Sequence, residues 1–431
     1  MQFISNIPWI VKILSTLGVI LVANRLFKNL SLAVVIGTLA LALLSGHSTA
    51  TFLSISSNTL FSWANLSLLI AIAQINFLSA QMAETKIMQD LVGLIQSRLS
   101  PRVSMAVLPS VIGLLPVPGG ALFSAPLVDE CDIEKKSHPC LKSVINFWFR
   151  HVWEFWWPLY PGVLLAMELT GLNTLQFLIF GLPLSLAAIA AGYVFLLQKI
   201  PGGRQAASIT NGEFFKRFLF LTSPIIIVVG IQACFQLFFP ALTNANQHLP
   251  ISLGLIVASL FLQSIRPLDS ATWRRIIGEK KLYSLLLLIA LIKVYAAFID
   301  ARLPDGTPLV AKLSAELTAF GIPLLVMTML LPFISGLTTG LSLAFVGASF
   351  PIVLSFLGPD PTLAQMLATL ALSYGFGLMG IMLSPVHICL LVSNEYFEAK
   401  LSSSLRFLLK PAVVVISFAL LFYVLFNLLP G

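Results

Sequence analysis

Two stretches place ionisable side chains inside otherwise apolar sequence. Arg150, His151 and Glu154 lie in the first, and His387 follows Ser384-Pro385 in the second. Ionisable groups in such surroundings are costly, so they pair or face an interior cavity. A guanidinium matches a carboxylate with paired hydrogen bonds, and an imidazole titrates near neutral pH and can relay protons. Arg150 and Glu154 have the spacing to share a helix face and to pair with each other. A second set of residues carries no charge: Pro118, Gly119, Gly120 and Ser124; Thr338, Thr339 and Ser342 around Gly340; and Gly162 after Pro161. Proline and glycine interrupt helices. An interrupted helix exposes N–H groups that favour anions and C=O groups that favour cations. The bland role for the same small residues is close helix packing.

The elements that must position these residues are membrane helices. Of 431 residues, 58% are hydrophobic and only 10% charged, against about a quarter charged in soluble chains. Apolar runs of about 20 residues recur throughout, so an all-α polytopic membrane protein is expected. The net charge of +8 then marks cytoplasmic loops rather than nucleic-acid binding. Cys131, Cys140, Cys234 and Cys389 show no metal-type spacing, and no cleavable signal peptide is evident. No cofactor is expected. Lys293 reads as snorkelling outward from its span, and Trp148, Trp153, Trp156 and Trp157 as packing and interface anchors.

Loop charges give the topology. Spans are expected at 9–24, 30–44 and 58–80, with an uncharged segment at 45–57 between the second and third and an amphipathic surface helix at 85–99. If 103–128 crossed the membrane, the basic loop 199–217 would lie outside, against the positive-inside rule. Each half of 103–128 has about a dozen residues, about 18 Å of helix against a core of about 30 Å. It therefore reads as a re-entrant hairpin opening from the cytoplasm, followed by a broken span at 144–169 and a span at 174–197. After the basic linker 201–217 come spans at 218–239, 251–265 and 282–299. An amphipathic segment at 307–320 follows, then a second hairpin at 321–357, a broken span at 362–392 and a last span at 411–429.

The two halves, 1–200 and 218–431, thus read as an inverted repeat of two five-span units, each with a re-entrant hairpin and a broken helix. Short echoes support it. Ile72-Ala73 matches Ile289-Ala290, Leu108-Pro109 with Gly113 matches Leu331-Pro332 with Gly336, and Pro158/Glu168 matches Pro385/Glu395. Paired, interrupted segments in a repeat point to a secondary transporter's midplane site.

Four motifs carry a family resemblance: Gly113-Leu-Leu-Pro-Val-Pro-Gly-Gly-Ala-Leu-Phe-Ser-Ala-Pro126, Phe149-Arg-His-Val-Trp-Glu154, Trp157-Pro-Leu-Tyr-Pro-Gly162 and Ser384-Pro-Val-His-Ile-Cys-Leu390. On these the chain resembles domain-of-unknown-function family 401 over nearly its whole length. That prokaryotic membrane family is grouped with the ion-transporter superfamily. The resemblance implies a multi-pass protein of the prokaryotic cell membrane that moves organic acids, sodium or protons. The Ser-Asn-Thr motif that binds sodium in the dicarboxylate carriers is absent from both hairpins. The leading reading is a transporter of a small organic anion driven by a Na⁺ or H⁺ gradient, in a lipid bilayer and compatible with a homodimer. A cation/proton antiporter of the same fold is the alternative. A membrane-embedded enzyme has little support, since HExxH and GxSxG patterns are lacking.

Overall fold

The computed structural model describes residues 7–115, 120–132, 135, 137–200, 210–321, 323–358 and 360–428, with the backbone alone for residues 310, 314, 317 and 318. Among the described residues the chain is helical, with a single isolated β-bridge between Arg302 and Pro308. Among the described residues seven helices are long and apolar enough to cross a membrane, so this is an all-α, multi-pass membrane protein.

The helices in order are α1 (Trp9–Phe27), α2 (Leu30–Leu44), α3 (Thr49–Leu60), α4 (Trp63–Glu84) and α5 (Ile87–Gln96). The interrupted region follows as α6 (Pro101–Gly113), α7 (Gly120–Cys131), α8 (Pro139–Arg150) and α9 (Pro161–Thr170), closed by α10 (Thr174–Phe195). Then come α11 (Asn211–Phe238), α12 (Pro240–Ala245), α13 (Leu249–Ile265), α14 (Ser270–Ile277), α15 (Lys280–Asp300) and α16 (Leu309–Ala319). The second interrupted region is α17 (Leu324–Thr339), α18 (Ser342–Ser355), α19 (Leu363–Met382) and α20 (Ile388–Tyr396), and α21 (Leu401–Asn427) ends the chain.

Several boundaries differ from the sequence expectation, and the last helix begins at Leu401 rather than at Pro411, which lies inside it. The uncharged segment 45–57 is largely the helix α3, because the Ser48 hydroxyl accepts the Thr51 N–H and caps it. The third span consequently starts at Trp63, capped by Ser62. The basic linker is shorter than expected, since α11 starts at Asn211 behind the Thr210 cap. The amphipathic α5 is present, with Ile87, Met88, Leu91, Val92, Leu94 and Ile95 buried. Its apolar face packs on α4, α6 and α11.

The interruptions have local causes. Pro158 and Pro161 lack the N–H groups that the carbonyls of Glu154 and Trp157 would need to continue a helix. Pro385 does the same for Ile381, whose carbonyl takes the Ser384 N–H in a tight turn at 3.0 Å. Gly340 ends α17 in the left-handed region (φ 65°), where its N–H returns to the Gly336 carbonyl at 2.8 Å. The polar turn after α7 is tied by Lys142 to Asp129 (2.6 Å) and Asp132 (3.6 Å), and by Lys135 to Asp129 (2.8 Å).

Helix contacts fall into matched sets. α1 packs on α2 and α11 on α13; α4 packs on α13 and α15 on α2; α5 packs on α11 and α16 on α1. In the interrupted regions α7 packs on α20 and α9 on α18, while α8 packs on α21 and α19 on α10. The helices α10 and α21 pack on each other.

Candidate functional site

The two breaks meet. The first runs from His151 to Tyr160 between α8 and α9, the second from Leu383 to His387 between α19 and α20. The rings of His151 and His387 stand edge to face, centroids 4.8 Å apart, and Phe147 contacts both at 4.7 and 4.8 Å. His151 Nδ1 lies 2.6 Å from the Phe147 carbonyl, to which it donates, and Nε2 stands 3.8 Å from Glu154 Oε1. Arg150, His151, Glu154 and His387 are all buried.

Helix ends crowd around these side chains. A Cβ on Gly120, the first residue of α7, would collide with the Arg150 guanidinium, and one on Gly113, the last of α6, with the Arg150 carbonyl. A Cβ on Gly162, near the start of α9, would come 2.9 Å from the hydroxyl of Ser342, the first residue of α18. The Ser342 hydroxyl lies close to the Glu154 carboxylate. A Cβ on Gly340 would stand 2.9 Å from His387 Cα and 3.2 Å from Ser384 Oγ. The Ser384 hydroxyl donates to the Leu337 carbonyl near the end of α17 at 2.7 Å. The starts of α7, α9, α18 and α20 therefore converge with the ends of α6, α8, α17 and α19 on one region. There N–H dipoles, a guanidinium and a carboxylate are in reach of one another.

Not every expected residue joins the cluster. Gly120, Arg150, His151, Glu154, Gly162, Ser342, Ser384 and His387 do. Pro118 and Gly119 lie outside the described residues. The hydroxyls of Ser124, Thr338 and Thr339 bond back to carbonyls of their own helices at 3.0, 2.7 and 2.6 Å, and Thr338 is exposed. The helical Arg150–Glu154 face is a correction: α8 stops at Arg150, so Glu154 is placed by a turn, its N–H on the His151 carbonyl at 3.1 Å.

Several residues escape sequence reasoning. Trp153 Nε1 donates to the Ser110 carbonyl (2.7 Å), Trp157 Nε1 to Leu114 (2.9 Å) and the Tyr160 hydroxyl to Gly113 (2.5 Å). Three aromatic donors thus cap the end of α6, where Leu114 would otherwise look for an N–H on Pro118. Asn146, fully buried, joins the Ala121 carbonyl of α7 (3.0 Å) to Ser393 of α20 (2.8 Å). Asn394 accepts from both Ser143 and Ser404 at 2.7 Å. Cys389 completes a group with His151 and His387 whose ligand atoms lie within 4.8 Å of one another. A lone asparagine in an apolar run was the one legible signal; the other partners are distant in sequence.

A second polar cluster lies at the far end of α9. Glu168 receives Lys293 of α15 (2.9 Å), His248 (2.9 Å) and Gln247 (2.6 Å). Lys293 therefore pairs across helices instead of snorkelling away, because a buried carboxylate is within its reach.

Residues 10–426 match the family described as protein of unknown function (DUF401). The chain belongs to this family. Among curated proteins no relative matches it. In this DUF401 protein the matched region spans both breaks and every residue of the cluster just described.

Proposed function

We propose that this protein is a secondary transporter of a small organic anion, a carboxylate, coupled to a proton or sodium gradient and working by alternating access in a prokaryotic cell membrane. The observation that carries the reading is the convergence of four helix starts and Arg150 between two broken helices. Helix N-termini and a guanidinium together bind carboxylate without a dedicated cofactor, and broken helices at mid-membrane are where transporters hold cargo. The matched helix contacts support an inverted repeat in which α6–α7 and α17–α18 are re-entrant hairpins entering from opposite sides. In that arrangement the hairpins and broken helices move, and the remaining spans form the framework. His151, Glu154 and His387 are the groups through which a proton would couple. Membership in the ion-transporter superfamily is part of this proposal.

Thermal unfolding of the purified protein with malate, succinate, citrate and gluconate, with and without Na⁺ and at several pH values, tests the cargo class. Ligand that binds the native state raises stability by mass action. A carboxylate should stabilise the wild type and lose its effect in Arg150→Gln, and gradient-driven uptake of the same acid into proteoliposomes should follow. Stabilisation by Na⁺ or Li⁺ with no response to any acid would replace this reading with a cation/proton antiporter. For the hairpin, Ser137→Cys should react with an impermeant thiol reagent from the cytoplasmic side; reaction from outside alone would overturn it.

A further inference from the structure

His151 and His387 come from two breaks separated by more than half the chain and Cys389 from the first turn of α20, yet their ligand atoms lie within 4.8 Å of one another. Both histidines are more than nine-tenths buried. The His151 ring is oriented as metal-binding histidines are: one nitrogen donates to a backbone carbonyl, here Phe147, and the other, Nε2, faces the cluster 3.8 Å from Glu154. On His387, Nδ1 is buried and meets no hydrogen-bond partner among the described residues. A histidine pair present only for packing would leave that nitrogen desolvated for no return. The Arg150 guanidinium stands close to the Cys389 sulfur, and a thiol gives up its proton when it binds a soft metal. Glu154, 3.8 Å from His151 Nε2, is placed to serve as a fourth ligand and balances the charge of Arg150.

We propose that His151, His387 and Cys389, with Glu154 beside them, form a binding site for a soft divalent transition-metal ion such as Zn²⁺ or Co²⁺ where the two breaks meet. Two imidazoles, a thiolate and a carboxylate are a zinc-type donor set. Bond lengths of about 2.0–2.3 Å put tetrahedral ligands about 3.5 Å apart, so closure needs side-chain movement of about 1 Å. The ion would cross-link the two broken helices directly. The inference does not depend on carboxylate transport.

The test uses the full chain, tag removed, stripped with EDTA and titrated with Co²⁺. One equivalent should bind, with the thiolate-to-cobalt charge-transfer band. Cys389→Ser should lose that band, while Cys234→Ser, an exposed cysteine, should keep it. Loss of an outer-shell partner alone weakens metal sites by about 10–100-fold, so His151→Gln and His387→Gln should weaken binding at least that much. Should these variants fail to fold, a chain keeping Cys389 as its sole cysteine still answers: Zn²⁺ should protect it from maleimide. No saturable binding, a band that survives Cys389→Ser, or no protection would overturn the site. Each of these outcomes leaves the transport proposal standing.

Discussion

A methyl group at Gly120 would occupy the space of the Arg150 guanidinium, and one at Gly340 would press on the backbone of His387. The two glycines should nevertheless fail differently. The guanidinium is the far end of a flexible side chain and can swing away, so Gly120→Ala should keep its melting temperature. It should weaken carboxylate-dependent stabilisation by about tenfold, or about 1.4 kcal/mol. Gly340 has φ 65° and backbone neighbours, so an alanine there meets both strain and contact. Gly340→Ala should cost about 1–3 kcal/mol of stability. Thermal melts of both variants with and without the stabilising acid separate the two effects; equal loss of stability would show that Gly120 merely packs. Arg150, His151, Glu154 and His387 were legible in the sequence because charge in apolar surroundings is conspicuous. Cys389 was not, since nothing local distinguishes a ligand from a small buried residue.

Among elements, the breaks were legible wherever proline removes a donor, as at Pro158, Pro161 and Pro385. The first break nevertheless begins ahead of its prolines, at His151, and the sequence carries no sign of that early stop. Nor did it reveal that Trp153, Trp157 and Tyr160 cap α6, because such bonds depend on how two distant segments pack. Tyr160→Phe leaves the Gly113 carbonyl buried without its donor, which should cost about 1–3 kcal/mol. Full stability in that variant would mean that another donor reaches the carbonyl. At the polar end of α7, burial alone would raise the Asp129 carboxyl, but hydrogen bonds from Lys135 and Lys142 outweigh it and hold it below the usual range. The native form therefore holds its charge better than the unfolded chain, whose carboxyl titrates near about 3.9. The gain is present above that pH and lost as pH falls through the lower native value. Asp129→Asn should cost up to about 1 kcal/mol at neutral pH, and the difference from wild type should shrink below about pH 4. A difference independent of pH would assign the effect to packing.

At the scale of the whole molecule, the all-α, multi-pass character was readable from composition and hydropathy, whereas the contacts that tie the two interrupted regions to the other helices were not. Glu168 on α9 and Lys293 on α15 form one such tie, with His248 at the start of α13 as a second partner. If the broken helices move against the framework, this pair must break or travel with α9, which makes it a latch on one conformation. Removing one partner strands a largely buried charge, so Glu168→Gln should cost about 3 kcal/mol or more. Removing both charges in Glu168→Gln/Lys293→Met should restore most of that, because a buried pair gains little over apolar packing once its desolvation is counted. The double variant then separates stability from motion. With stability restored and the latch gone, a cysteine introduced at Ser342 should be labelled by an impermeant reagent at a different rate from the same cysteine with the pair intact. Equal labelling rates in two equally stable proteins would reduce the Glu168–Lys293 pair to a structural tie, and the moving boundary would have to be sought away from α9.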